Sequence, residues 1–143
     1  MKVIIEPTTS LRETNGILPK RMTSGSVGFD VHAAEGVIIL PRETVMVPLG
    51  FKMEIEKGYW AMLAPRSSLF KKNLSVPNSV GIIDSDYRDE VRMLLFNFGH
   101  DNSVINEHDR IGQLIFLPML EIELEQGFIG KLGERVGGFG STS

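Results

Sequence analysis

From Val45 to Ile55 every odd position is apolar: Val45, Val47, Leu49, Phe51, Met53 and Ile55. A period of two puts these side chains on one face of an extended chain, so the stretch reads as a single strand lying on a core. Residues 119–125, MLEIELE, repeat the pattern, with Leu120, Ile122 and Leu124 on one face and glutamates on the other. Shorter strands are expected over 3–5, 36–40, 59–64, 80–83, 91–98 and 111–118, with Gly, Pro, Asn and Asp in the gaps, as turns require. Only residues 67–73 look helical, for about two turns at most, with Ser67 or Ser68 as the cap. Many short strands in one small domain predict an all-β fold, a jelly-roll sandwich or barrel with one short helix.

The chain has 143 residues, of which 42% are hydrophobic, enough for one domain with its own core. Without cysteine it has neither disulfides nor Cys-based zinc sites. No apolar run approaches the ~20 residues a membrane-spanning helix needs, and the start, MKVIIEPTT, lacks the shape of a signal peptide. The expected location is the cytoplasm, with no membrane partner. A net charge of −3 argues against nucleic acid as a partner, which needs a positive field, but not against a small anion held by a few local cations. His32, His100 and His108 are scattered and show no metal-ligand spacing. Two parts are expected: a β domain over residues 1–129 and a flexible, glycine-rich C-terminal arm over 130–143.

Residues 78–90, NSVGIIDSDYRDE, carry the strongest functional signal. An apolar run through Val80, Ile82 and Ile83 ends abruptly in Asp84, Asp86 and Tyr87. A buried, unpaired carboxylate is costly, so the run must end at water, at a partner charge or at a site. Four other polar islands accompany it. Arg66 and Ser67, in PRSSL, offer a planar fork and a hydroxyl to phosphate oxygens, or simply a surface arginine and a helix cap. Asp30 in GFDV stands inside an apolar stretch, where it orients an arginine, holds a metal-bound water or makes a turn. Gln113, on the face expected for Ile111 and Ile115, needs a partner, either a ligand or neighbouring backbone. In the tail, Gly137-Gly138-Phe139-Gly140-Ser141-Thr142 combines backbone N–H groups, hydroxyls and one stacking ring, with Arg135 upstream. Such an arm is suited to close over a nucleotide.

Taken in order, GFDVHAAE, PRSSL, NSVGIIDSDYR, RIGQLIF and RVGGFGSTS resemble the ordered motifs of the homotrimeric dUTPase family across residues 28–143. The resemblance implies a dUTPase-like jelly-roll β-clip, a homotrimer with active sites at subunit interfaces, and Mg²⁺-assisted hydrolysis of dUTP to dUMP and pyrophosphate. It implies that Asp84 activates the attacking water, that Tyr87 packs against deoxyribose, and that Asn78 reads the uracil edge with backbone groups of its hairpin, Gly81 among them. It implies that Arg66, Ser67, Ser68 and Gln113 hold phosphates and that Asp30 supports the site. Arg135, Phe139, Gly140, Ser141 and Thr142 would come from the closing arm. Mg²⁺ would ride mainly on the substrate phosphates and water, with no direct protein ligand.

The chain departs from the family pattern at three places. Ser68 and Asp89 stand where glycine is common, and Arg135 lies four residues before Phe139 rather than five. The related dCTP deaminases share the fold and an RSSL-like segment, but they need a catalytic glutamate on the inner strand, where this chain offers Asp84. A dUTPase-like trimer that sequesters a regulatory protein is the other reading, and such a protein is the further candidate partner.

Overall fold

The computed structural model describes residues 1–8, 18–130 and 137. Eleven strands and one short helix follow in order: β1 Val3–Pro7, β2 Phe29–His32, β3 Val37–Ile39, β4 Thr44–Pro48, β5 Phe51–Ile55, β6 Tyr59–Pro65, a 3-10 helix Ser67–Lys72, β7 Leu74–Ser75, β8 Gly81–Ile83, β9 Arg92–Asn97, β10 Ser103–Ile105 and β11 Arg110–Pro118. Every ladder is antiparallel. A four-stranded sheet has the order β2-β11-β6-β8 and a three-stranded sheet the order β4-β9-β7. The pairs β1-β5 and β10-β3 complete an all-β jelly roll. None of the described helices is long and apolar enough to cross a membrane.

The odd-position face of residues 45–55 is indeed turned inward, and Val47, Leu49, Phe51, Met53 and Ile55 are all buried. It is nevertheless two strands rather than one. Gly50 has φ of 81°, a torsion open to glycine and strained for most other residues, and the chain bends there. β4 then pairs with β9 while β5 pairs with β1. The alternation survives because the bend preserves parity across the break.

Three further expectations are corrected. Residues 119–125 form no strand: Leu120, Ile122 and Leu124 are 77%, 72% and 93% exposed, and β11 stops at Pro118. A strand needs a ladder partner, and none of the described residues supplies one. Ile82 faces outward while Ile83 enters the core, so the run before Asp84 alternates instead of being buried throughout. The short helix has Arg66 at its N-cap with no side-chain cap bond, so neither Ser67 nor Ser68 caps it. It ends at Asn73, whose φ of 57° is a left-handed conformation that asparagine tolerates.

Buried Asn97 ties the strands together. Its side-chain amide donates to the carbonyls of Ile39 (2.9 Å) and Asp101 (2.8 Å), and its side-chain oxygen accepts from the Gly99 N–H (2.9 Å). A buried amide is tolerated when its polar atoms are satisfied in this way.

Candidate active site

The four-stranded sheet brings three of the polar islands together. β11 lies between β2 and β6, with Gln113 opposite Asp30 on one side and Ala64 on the other. A bulge between Arg110 and Gly112 shifts parity, so Leu114 rather than Gln113 joins Ile111 in the buried set. Gln113 stays half-buried and donates from Nε2 to the Pro65 carbonyl at 3.2 Å.

Asp30 is held on both edges. Its backbone exchanges two hydrogen bonds with Lys20, at 2.7 and 3.1 Å, while its other edge faces β11. Arg21 stacks over the Phe29 ring at 4.6 Å, and Phe29 meets Phe116 edge to face at 5.7 Å, which pins the approach to β2. The Asp30 carboxylate then bridges two arginines: Oδ1 lies 3.5 Å from Arg66 Nε, and Oδ2 lies 3.4 Å from Arg110 Nη1. One anion thus aligns two guanidinium groups, each with further N–H donors left over.

Asp30, Arg66, Ser67, Arg110 and Gln113 line one cavity, together with Gly28. Ser68 lines a neighbouring cavity with Lys71 and Lys72, and Arg66 and Arg110 border both. These are donors and positive charges, the chemistry that grips phosphate oxygens.

The segment around β8 builds a different cavity, lined by Asn78, Gly81 and Tyr87 with Leu63, Met46, Arg92 and Met93. Gly81 sits opposite Leu63 in the β6-β8 ladder. Its polar groups are organised locally. Asn78 Nδ2 donates to Val80 O at 3.3 Å, and Tyr87 OH donates to Glu90 O at 3.0 Å. Arg88 holds the Ser85 carbonyl, which braces the turn closed by Tyr87 N–H on Asp84 O at 3.2 Å. This cavity pairs an apolar floor with one amide and one aromatic face, which suits a base and sugar. It shares no lining residue with the phosphate-type cavity.

Asp84 stands exposed just past β8. Among the described residues its carboxylate has no hydrogen bond or ion pair, so it is free to take a water. Arg135, Phe139, Gly140, Ser141 and Thr142 lie outside the described residues.

The dUTPase family model matches residues 14–143. The chain belongs to the dUTPase family. It is 40% identical over 131 residues to the deoxyuridine 5'-triphosphate nucleotidohydrolase of Brucella melitensis, covering 87% of this chain and 83% of that one. The protein of the same name from Hydrogenobaculum sp. is 37% identical over 99% of this chain and 98% of its own. Among solved structures, the Streptococcus mutans dUTPase superposes with a TM-score of 0.77 at 33% identity, over 83% of this chain and 98% of that one.

Sequence reasoning missed two kinds of residue that line these cavities. Arg110 was visible beside Gln113, but its pairing with Asp30 spans 80 positions and no local pattern announces it. Met46, Arg92 and Met93 come from β4 and β9 and enter the nucleoside-type cavity only through sheet packing. His32, read as an ordinary residue, is buried, and its Nδ1 has no partner among the described residues. Burial holds its pKa below the usual histidine value, and the charges of Arg110, His108 and Arg66 push the same way against that of Asp30.

Proposed function

We propose that this chain hydrolyses dUTP to dUMP and pyrophosphate as a Mg²⁺-assisted homotrimer in the cytoplasm. The observation that carries the reading is the sorting of side chains by chemistry. Residues scattered from position 22 to 113 gather into one cavity where two arginines, hydroxyls and an amide surround the Asp30 carboxylate, and one of mostly apolar side chains with Tyr87, Asn78 and Arg92. A nucleoside triphosphate needs both kinds of surface.

In this reading the Asn78 amide, a donor and an acceptor in one group, reads the uracil edge together with backbone of the hairpin at Gly81. Tyr87 lies flat beneath the deoxyribose, where a 2′-hydroxyl loses its place. Arg66, Ser67 and Gln113 hold the phosphates, and Asp30 holds the Arg66 fork at its working angle. Asp84 takes a proton from the water that attacks the α-phosphorus, and the bond to the leaving pyrophosphate breaks. Arg135, Phe139, Gly140, Ser141 and Thr142 close over the substrate and exclude bulk water.

Among the described residues no His, Asp or Glu cluster forms a metal cage, and the Asp30 carboxylate is already taken by two arginines. That donor set suits Mg²⁺ carried in on the triphosphate itself, which keeps most of its ligands as phosphate oxygen and water. When bound, the ion offsets the negative charge that otherwise repels the nucleophile.

Assembly around a threefold axis is supported by the apolar surface of one chain. Ile82, Leu120, Ile122 and Leu124 lie outside the core, and such a stretch is normally covered by a partner. Two half-sites on separate cavities are also what an interfacial site requires.

The test is pyrophosphate release from dUTP, dCTP, dTTP and UTP, with and without Mg²⁺. Release confined to dUTP and dependent on the ion is expected. Equal turnover of dCTP or UTP, or none of dUTP, would overturn the reading.

A further inference from the structure

Gly28 controls the position of the Gln113 amide. The Gln113 Nε2 donates to the Pro65 carbonyl at 3.2 Å. A carbonyl only accepts, so the nitrogen must face Pro65 and the amide oxygen must face the other way. Gly28 stands there. A methyl group on Gly28 would collide with Gln113 Oε1 and would lie 3.0 Å from both Cβ and Cδ of the same side chain. Gly28 does not share the positive φ of Gly50 or Gly58, so its lack of a side chain serves space and not torsion.

We infer that Gly28 is a positioning residue for the phosphate grip: it leaves the room in which the Gln113 amide lies against Pro65 with its second N–H directed to substrate. The inference rests on the reading, proposed above, that Gln113 holds a phosphate. The atom a methyl would meet first is the tip of a flexible side chain. The expected response is therefore a swing of the amide, with a shift of about a few tenths of an ångström to ease the 3.0 Å approach to Cβ, rather than loss of the strand. A swung amide gives up its bond to Pro65, the residue immediately before Arg66, and turns its free N–H away from Arg66 and Ser67. β11 remains paired on both sides, because those ladders use backbone groups.

A mutant cycle separates this from a general structural effect. Gly28→Ala, Gln113→Gly and the double variant are compared for KM and kcat on dUTP, with thermal unfolding alongside. Gln113→Gly removes the three atoms nearest the new methyl. Gly28→Ala should raise KM about tenfold, the scale of one lost hydrogen bond to a charged group, with kcat changed less than about twofold. In the Gln113→Gly background the same substitution should change KM by less than about twofold. Equal effects in both backgrounds, or no effect in the wild type while Gln113→Gly raises KM, would overturn the inference alone. An unchanged KM in Gln113→Gly would overturn the phosphate reading and this inference with it. Should Gly28→Ala fail to fold, the double variant must fold and match Gln113→Gly, and its failure to do so would also refute the proposal.

Discussion

The two halves of the candidate site are built in opposite ways. The phosphate-type half draws Gly28, Asp30, Arg66, Arg110 and Gln113 from three strands and their flanks, and the sheet register holds them together. The nucleoside-type half takes Asn78 and Tyr87 from one stretch around β8, where they bond to backbone two or three residues away, and adds Arg92 from β9. Charge is fixed by tertiary structure, where a misplaced cation loses most of its grip on phosphate. In the proposed reading, base and sugar would meet side chains that are organised mostly by a local turn.

Asp84 lines neither cavity but follows β8 directly, and in the proposed reading it would act on the phosphates, so it tests the division most sharply. Asp84→Asn should lower kcat by about 10²- to 10⁴-fold while dUTP still binds, as calorimetry and pyrophosphate release would show. Normal turnover would remove Asp84 from the chemistry. The frame shared by both halves comes next. Asn97→Ala deletes three hydrogen bonds in the core and strands the Gly99 N–H, so unfolding free energy should fall by about 2–4 kcal/mol in denaturant titration. A change below 1 kcal/mol would mean those groups find water.

A smaller effect, confined to one half, is expected from Asp30→Ala. It frees Arg66 and Arg110 to splay and should raise KM for dUTP about tenfold. The binding of deoxyuridine itself should not change. Loss of nucleoside affinity would show that the halves are not separable. The smallest effect concerns pH. His32 sits below its unfolded pKa because burial disfavours the cation. The unfolded chain therefore binds a proton that the folded chain refuses. Stability from this site is complete above the ordinary histidine pKa and declines as pH falls below it toward the folded value. Melting between pH 7.5 and 5 should show that decline in wild type and a weaker one in His32→Asn. Identical slopes would assign the pH dependence elsewhere.

Much of this was legible in the sequence, and the gaps have physical causes. Period-two patterning located β4 and β5, and short apolar runs between turn residues located β6, β9 and β11. The break at Gly50 was hidden, since parity runs straight through it. β2 and β10 escaped notice because three- and four-residue strands carrying Asp30 or Ser103 look like loops. Residues 119–125 read as a strand from their own alternation, yet pairing is a property of a partner, and none lies among the described residues of one chain. Three of the polar islands, GFDV, PRSSL and RIGQLIF, do meet around one cavity; the bridging of Arg66 and Arg110 by Asp30 joins positions far apart in sequence, which no spacing encodes.

The central claim is that a complete site is made only where the nucleoside-type half of one chain, with its Asp84, meets the phosphate-type half of another. Mixing answers it directly. Asp84→Asn and Arg66→Ala proteins, each nearly inactive alone, are unfolded together, refolded and assayed for pyrophosphate release from dUTP. If sites form between chains, random mixing should restore about a quarter of wild-type activity. If each chain carries its own site, the mixture will be no more active than its two components.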